Sequence, residues 1–168
     1  SGNQYEPRMV CSERLFEIKH PVLVREPVKG LRQAMPEELL QVALAHAEVA
    51  RQESGVNPME KDRDGFLKRV LRRIRQGRVC VVFEDEKLIF KADIVAETDE
   101  VMYLEGIYVN PENRGQGVGT NCLSQLSRTL LDKVKYVCLL SNVEFRGAHQ
   151  AYLKAGFKSR DCYVTMFV

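Results

Sequence analysis

The sequence contains no apolar run that approaches the roughly 20 residues a membrane-spanning helix needs. Residues 1–20 also lack the cationic start and the apolar core of a signal peptide. The net charge is only +2, so no excess of either sign draws the chain strongly toward nucleic acid or a membrane surface. These absences predict a cytoplasmic protein without a membrane partner, and they weaken a nucleic-acid-binding role.

Cysteine is scarce, and its spacing does not match a metal site or a disulfide framework. The five cysteines are an odd number, they are widely spaced, and no Cys-x-x-Cys pair occurs. Three of them fall within apolar patterns that are typical of buried strands or helices. We therefore expect reduced core cysteines in a cytoplasm and no metal site. The positions are Cys11, Cys80, Cys122, Cys138 and Cys162.

The length of 168 residues suits one domain with a sizeable core. We assign that domain to residues 29–168. Residues 1–28 carry strand-like apolar stretches, and we predict that they form an N-terminal extension or the end of a preceding domain or linker. Two interpretations stay open. The chain is the C-terminal domain of a longer protein, or the extension completes a larger sheet or binds a partner.

Apolar residues recur at helical spacing after Pro36 and again before Gly77, which predicts two helices separated by a polar loop at residues 56–64. His46 lies on the apolar face of the first helix, where we expect it to be packed or half-buried. The basic face of the second helix, from Lys68 to Arg78, is predicted to be solvated. Nucleic-acid binding is its alternative, but no aromatic residues are interleaved for base stacking.

Strand patterns dominate the rest of the chain. The predicted strands are a short first strand at 29–34, a hairpin at 79–83 and 88–96, and strands at 101–109, 136–140, 157–160 and 163–168. A central helix with a buried stripe from Leu123 to Val134 and a short helix at 148–155 lie between them. Helices between strands, with an antiparallel hairpin before them, predict an α/β (α+β) fold with a mixed sheet covered on both faces.

A glycine-rich loop follows the strand that stops at Asn110-Pro111. In the segment RGQGVG, residues 114–119, the glycines leave several backbone N–H groups accessible just before a helix. The unpaired N–H groups of the first helical turn and the helix dipole add partial positive charge, and Arg114 adds a full one. This arrangement predicts a diphosphate-binding site.

Spacing excludes two common phosphate loops. A nucleoside-triphosphate loop requires four residues between its glycines and then Gly-Lys-Ser/Thr, whereas Thr120 occupies the place of the second glycine and no lysine follows it. A dinucleotide fingerprint starting at Gly115 and Gly117 would need Gly or Ala at position 120. That fingerprint also follows its strand directly, and here a turn at residues 110–114 intervenes.

The spacing that does fit is Arg-x-x-Gly-x-Gly, at Arg114, Gly117 and Gly119. It resembles the coenzyme A pyrophosphate loop of the GNAT N-acetyltransferase superfamily, and the resemblance covers roughly residues 29–168. A second family motif follows in the same order as in that family, at Asn142, Ala148, Tyr152, Gly156 and Phe157. One position departs from the pattern, because Phe145 stands where many members have a second asparagine.

The resemblance implies a GNAT fold, a mixed and mostly antiparallel sheet of about six to seven strands with helices on both faces. In that fold the fourth and fifth strands splay apart, and coenzyme A enters the notch. Its pantetheine arm pairs with the fourth strand, and a backbone N–H near Ile107 polarises the acetyl carbonyl. The residues implied to bind coenzyme A are Ile107, Tyr108, Val109, Arg114, Gly115, Gln116, Gly117, Val118, Gly119, Thr120, Asn142 and Tyr152.

Two side chains are candidates for proton transfer. Glu105 interrupts an apolar strand on the same face as Ile107, and we predict that it is the general base, directly or through water. A solvent-facing carboxylate or a partner for a local arginine is its alternative. Tyr152 matches the family tyrosine that protonates the departing thiolate, and packing in the core is its alternative. His149 nearby is expected to be an exposed helix histidine.

These patterns predict an acetyl-CoA-dependent N-acetyltransferase that transfers the acetyl group directly to a primary amine in a ternary complex, without a metal. Cys122 and Cys138 fall in the core pattern, which disfavours an acetyl-cysteine intermediate. The acceptor is a small molecule or a peptide or protein amine, and the protein is a monomer or a homodimer. A non-catalytic acyl-CoA-binding sensor or interaction module is the alternative, which the presence of both Glu105 and Tyr152 disfavours.

Overall fold

The computed structural model describes the backbone of residues 9–23, 26–142 and 145–167, and the side chains of 13–23, 26–142 and 145–160. The strands are β1 (Met9–Ile18), β2 (Arg32–Gln33), β3 (Val79–Glu84), β4 (Lys87–Glu97), β5 (Val101–Val109), β6 (Tyr136–Asn142) and β7 (Lys158–Phe167). The helices are α1 (Leu39–Ser54), α2 (Pro58–Lys61), α3 (Arg63–Arg75), α4 (Val118–Leu130) and α5 (Arg146–Lys154). Among these described helices, none combines the length and the apolar character that crossing a membrane requires.

The seven strands form one sheet in the order β2-β3-β4-β5-β6-β1-β7. Every neighbouring pair is antiparallel except β5 and β6, which are parallel. Helix α4 lies in the connection between these two strands, because parallel neighbours need a crossover. The mixed, mostly antiparallel sheet predicted from the sequence is confirmed.

Helices cover both faces of this sheet, as the alternation along β3 shows. Val79 and Val81 pack into one apolar cluster with residues of α1 and α3, while Cys80 and Val82 pack into a second cluster with residues of α4. Successive residues of a strand point to opposite faces, so the two clusters lie on opposite sides of the sheet. The site described below lies where the edge of β5 meets both layers.

The predicted polar loop at residues 56–64 contains a short helix instead. Asn57 caps α2 by accepting a hydrogen bond from the Met59 N–H at 3.0 Å, and Asp62 caps α3 by accepting one from the Gly65 N–H at 3.1 Å. Such side-chain caps satisfy N–H groups that have no partner within the first helical turn. Two of the polar residues that predicted a loop therefore cap the first turns of helices.

Three further boundaries differ from the prediction. The strand expected at residues 29–34 is reduced to the two residues of β2, and α4 ends at Leu130, so the buried Val134 follows the helix. The two final strands are one, β7. Strand β1 pairs along nearly all of β7, and a bulge in β7, where residues 160 and 161 lie opposite Leu15, stands where the sequence indicated a break.

Strand β1 lies inside the sheet, between β6 and β7. It comes from the N-terminal part of the chain, whereas both of its neighbours come from the C-terminal part. Leu15 pairs with Leu140, and Phe16 and Ile18 are almost completely buried. Such pairing is what we expect if the N-terminal extension completes a larger sheet. The domain boundary after residue 28 stays a prediction.

Candidate active site

Strands β5 and β6 separate halfway along their length. Their parallel pairing starts at Val101 and Tyr136 and ends at Leu104 and Leu139. Beyond that point β6 continues beside β1, while β5 continues beside β4. The predicted splay is thus confirmed. It opens a cleft of about 1010 Å³, and Leu140 lines this cleft with 45% of its surface exposed.

The glycine-rich loop forms one end of this cleft and leads into α4. Gly117 is the N-cap of α4 and has a φ of +80°, a left-handed conformation that glycine adopts without steric cost. Within the described residues no side chain caps α4, so the N–H groups of its first turn are accessible to a ligand. Unpaired N–H groups at a helix start suit an anion such as a phosphate group.

Arg114 is held beside this loop by the backbone of β5. Its Nε donates to the carbonyl oxygen of Val109 at 3.0 Å, and its Nη2 lies 3.8 Å from Glu48. The Arg114 side chain is 48% exposed, so the contact with Glu48 is a weak surface pair. The guanidinium can therefore exchange this carboxylate for the phosphate of a ligand.

Most residues predicted to bind coenzyme A line the cleft. They are Ile107, Tyr108, Val109, Arg114, Gly115, Gly117, Val118, Gly119, Thr120 and Tyr152. Gln116 and Asn142 do not line it. The exposed Gln116 donates its side-chain amide to the carbonyl oxygen of Glu112 at 3.1 Å, and Asn142 pairs with Glu13 of β1. A cofactor contact for these two residues stays a prediction.

Strand β5 has a bulge where it borders the cleft. Gly106 and Ile107 together lie opposite one residue of β4, Ala92. A bulge interrupts the ladder and redirects the backbone. Gly106 has a φ of +62°, and the first carbon of any side chain there would lie 2.8 Å from the Nζ of Lys91. Both the conformation and the space require glycine.

A group of ionisable side chains lies beneath the bulge, with Lys91 and Asp93 buried and His46 and Arg73 partly exposed; we call these four residues the Lys91 cluster. The Lys91 ammonium donates to the carbonyl oxygen of Gly106 at 2.9 Å and to Oδ1 of Asp93 at 2.8 Å. Oδ2 of Asp93 accepts from Arg73 at 2.7 Å and lies 3.3 Å from Nδ1 of His46. Burial alone would raise the pKa of Asp93, but Lys91 and His46 outweigh it and hold that pKa well below its usual range.

The sequence contains a signal for this cluster, although it led to no prediction. Lys91 and Asp93 are two residues apart in an otherwise apolar strand, so they lie on one face of a buried element. Buried charges need partners, and such spacing indicates an ion pair. His46 is half-buried as predicted, and its ring stacks on Phe66 with the centroids 5.7 Å apart.

Two carboxylates line the cleft from different elements. Glu105 belongs to β5, and Glu53 lies near the end of α1. Although the Glu53 side chain keeps access to solvent, desolvation in the cleft raises its pKa to about 7, with help from the charges of Glu105 and Glu13. No pattern in the sequence pointed to Glu53, because its position depends on how α1 packs against β5. A carboxylate with this pKa can accept a proton at neutral pH.

Tyr152 is 6% exposed and contributes to the cleft wall from α5. Its hydroxyl hydrogen-bonds to Ser141 of β6, and desolvation raises the pKa of Tyr152 to about 12, although that hydrogen bond acts in the opposite direction. The phenol is therefore protonated at neutral pH and can serve as a proton donor.

The expectation that His149 is an exposed helix histidine is wrong. This residue is only 8% exposed, and its Nε2 lies 3.1 Å from the hydroxyl of Ser141. Phe16 packs against it with the ring centroids 5.0 Å apart. Strand β1 supplies this cover, and its position beside β6 was not evident from the sequence.

Cys80, Cys122 and Cys138 are buried free thiols. Burial raises their pKa values to about 11, 12 and 11. The thiolate, which is the nucleophilic form, is then scarce at neutral pH. In the described part of the chain, no three His, Cys, Asp or Glu side chains are grouped to hold a metal ion. The side chains of Cys11 and Cys162 lie outside the described residues.

Comparison with protein families matches residues 75–159, just over half of the chain, to the acetyltransferase (GNAT) domain. Comparison with curated proteins gives no match. Among solved structures, an acetyltransferase of the GNAT family from Colwellia psychrerythraea superposes with a TM-score of 0.74 and 16% identity, over 95% of this chain and 57% of that chain.

Two further structures show the same fold. A GCN5-related N-acetyltransferase from Sphaerobacter thermophilus has a TM-score of 0.70 and 18% identity, over 97% of this chain and 54% of that chain. A predicted acetyltransferase from Clostridium acetobutylicum, solved with acetyl-CoA, has a TM-score of 0.60 and 17% identity, over 79% of this chain and 91% of that chain. The chain thus spans little more than half the length of the first two relatives.

Proposed function

Because the chain belongs to the GNAT acetyltransferase family, we propose that it transfers the acetyl group of acetyl-CoA to a primary amine by direct attack in a ternary complex. The observation that carries this proposal is the cleft between β5 and β6, with the uncapped start of α4 at one end. The relative from Clostridium acetobutylicum was solved with acetyl-CoA, which supports the choice of cosubstrate.

The cosubstrate would lie along one continuous surface. The diphosphate would accept hydrogen bonds from the first-turn N–H groups of α4 and would pair with Arg114. The pantetheine arm would add to the free edge of β5 at residues 107–109, where no strand pairs on the β6 side within the described residues. The thioester would then lie near the bulge, between the Glu105 and Tyr152 sides of the cleft.

Proton transfer is assigned to side chains on two walls of the cleft. Glu105 and Glu53 together would receive the proton of the acceptor ammonium, directly or through water. The two act together because the charge of Glu105 raises the pKa of Glu53. The free amine would attack the acetyl carbonyl and the C–S bond would break. Tyr152 would protonate the departing thiolate, and the proton that the new amide nitrogen loses would restore the Tyr152 phenol, directly or through water. The buried thiols with raised pKa values support direct transfer over an acetyl-cysteine intermediate.

Calorimetric titration with acetyl-CoA and with free coenzyme A is the first test, and we expect micromolar binding of both. Thiol release is then followed with primary amines of several classes: a peptide N-terminus, a lysine side chain, a polyamine, an amino acid and an aminoglycoside. Release with at least one class supports the enzyme. Binding without release by any class would favour the acyl-CoA sensor, and an absence of binding would overturn the proposal.

The pH dependence of kcat/KM should show an inflection near pH 7 that Glu53→Gln removes. A general base must be ionised to act, so activity is present above the pKa of Glu53 and is lost as the pH falls through about 7. One pH unit below that value only about a tenth of the carboxylate is ionised, and we expect a comparable fraction of the activity.

Glu105→Gln should move the same inflection to lower pH, because it removes a negative charge that raises the pKa of Glu53. Glu60→Gln is the matched control, since Glu60 is exposed on α2 and does not line the cleft. An inflection that is unchanged in both Glu53→Gln and Glu105→Gln would leave water, and neither carboxylate, as the base.

A further inference from the structure

Lys91 and Asp93, the two central residues of the Lys91 cluster, have no access to a substrate. The side chains of Lys91 and Asp93 are 0% and 3% exposed, so neither touches acetyl-CoA or an amine. Burying an ammonium and a carboxylate is costly even when they pair, and apolar residues of similar volume often fill such a space at lower cost. The contacts of Lys91 lead instead to one backbone group, the carbonyl of Gly106.

This carbonyl is linked to the cleft through its own peptide unit. The described chain has no cis peptide bond, so the C=O of Gly106 and the N–H of Ile107 point in opposite directions. Lys91 holds the oxygen at 2.9 Å on the side of the sheet where His46 and Arg73 lie. The Ile107 N–H is therefore directed away from the cluster, and Ile107 lines the cleft.

We propose that Lys91 is a positioning residue, which holds and polarises the Gly106–Ile107 peptide so that the Ile107 N–H donates to the acetyl carbonyl of acetyl-CoA. This inference rests on the proposed function. A glycine in the left-handed region has other conformations open to it, so the bulge alone does not hold this peptide in place. A positive charge at the carbonyl oxygen also draws electron density from the amide nitrogen, which strengthens its N–H as a donor.

Asp93 positions Lys91 in turn. Its Oδ1 accepts from the ammonium, while Oδ2 is shared between Arg73 of α3 and His46 of α1. The cluster thereby ties two helices to the bulge. Lys91→Met removes the donor to Gly106 at similar side-chain length and leaves Asp93 with its partners on α1 and α3.

The test is the stretching frequency of the thioester carbonyl in bound acetyl-CoA, measured by infrared difference spectroscopy with ¹³C at that carbon. A hydrogen bond to the carbonyl oxygen lowers this frequency. We expect a lowered frequency in the wild-type protein and a return toward the solution value in Lys91→Met. We also expect kcat to fall about 10- to 100-fold, less than the 100- to 1,000-fold typical of losing the donor itself. KM for acetyl-CoA should change less than about threefold, since ground-state contacts along the arm remain.

Lys135→Met is the matched control. Lys135 is an exposed lysine just before β6, far along the sheet from the cleft, and it pairs with Glu100 at 3.2 Å. This variant should keep both the frequency and kcat. A lowered frequency that survives in folded Lys91→Met would overturn the inference, as would an unshifted carbonyl in the wild-type complex. Failure of acetyl-CoA to bind at all would overturn the proposed function and this inference with it.

If Lys91→Met does not fold, Gly106→Ala tests the positioning role of Lys91. The new methyl group would lie 2.8 Å from Nζ of Lys91, so the ammonium and the peptide have to move apart and their hydrogen bond is disturbed. We expect the carbonyl frequency to rise toward the solution value in this variant too. A wild-type frequency in folded Gly106→Ala would contradict the inference.

Discussion

Gly117→Asp is expected to weaken the binding of acetyl-CoA and of free coenzyme A by at least about 100-fold, or about 2.7 kcal/mol. The substitution puts a carboxylate at the N-cap of α4, where the diphosphate would lie. Two like charges about 4 Å apart repel by about 4 kcal/mol at an effective dielectric constant of about 20. Isothermal titration calorimetry measures both dissociation constants, and circular dichroism checks the fold.

Gly30→Asp is the control for this substitution. Gly30 has a φ of +82°, close to the +80° of Gly117, and both have open space where a side chain would begin. Gly30 does not line the cleft, so its variant should bind as the wild type does. Arg114→Glu should reproduce the loss by reversing the charge beside the loop. Unaltered affinity in both Gly117→Asp and Arg114→Glu would remove the diphosphate from this loop.

Tyr152→Phe is expected to lower kcat by about 100-fold or more, which is the range that a general acid contributes. The aromatic ring remains, so the dissociation constant of acetyl-CoA should change less than about threefold. Loss of the hydrogen bond to Ser141 should lower the free energy of unfolding by about 0.5–1.5 kcal/mol. Steady-state kinetics at saturating acetyl-CoA and thermal unfolding measure the two effects separately.

Tyr136→Phe makes the same chemical change away from the cleft. Tyr136 begins β6 and lies near the ammonium of Lys19, 5.6 Å from the ring centroid. We expect this variant to keep its kcat. Equal turnover in the two variants would leave Tyr152 as a packing residue and would assign protonation of the thiolate to another group or to water.

The fold class and the glycine-rich loop at the start of α4 were predictable because their signals are local, whereas the binding of a diphosphate there stays a prediction. Strand periodicity, the end of β5 at Asn110-Pro111 and the glycines before α4 are each defined by residues that are close together in the sequence. Thr120 and the turn before the loop excluded the other phosphate loops by spacing alone. The splay of β5 from β6 was predictable only through the family resemblance, since no local pattern describes a separation of two strands.

Residue roles that depend on contacts between distant parts of the sequence were harder to predict. Strand β1, from the other end of the chain, lies beside the end of β6 at Asn142. The spacing of motif residues could not indicate this pairing. His149 was misjudged for a related reason, because the ring of Phe16 that covers it belongs to the other end of the chain.

Local sequence determined the elements, the apolar faces and the cationic glycine loop of this protein, because each depends on neighbours in the chain. Tertiary structure decided which charges face one another. It brings Glu53 of α1 to the same cleft as Glu105, and it places Lys91 beneath the bulge at Gly106. Desolvation and charge–charge interaction depend on what surrounds a group in space. The raised pKa of Glu53 and the contact between Lys91 and the Gly106 carbonyl therefore emerge only in the folded chain.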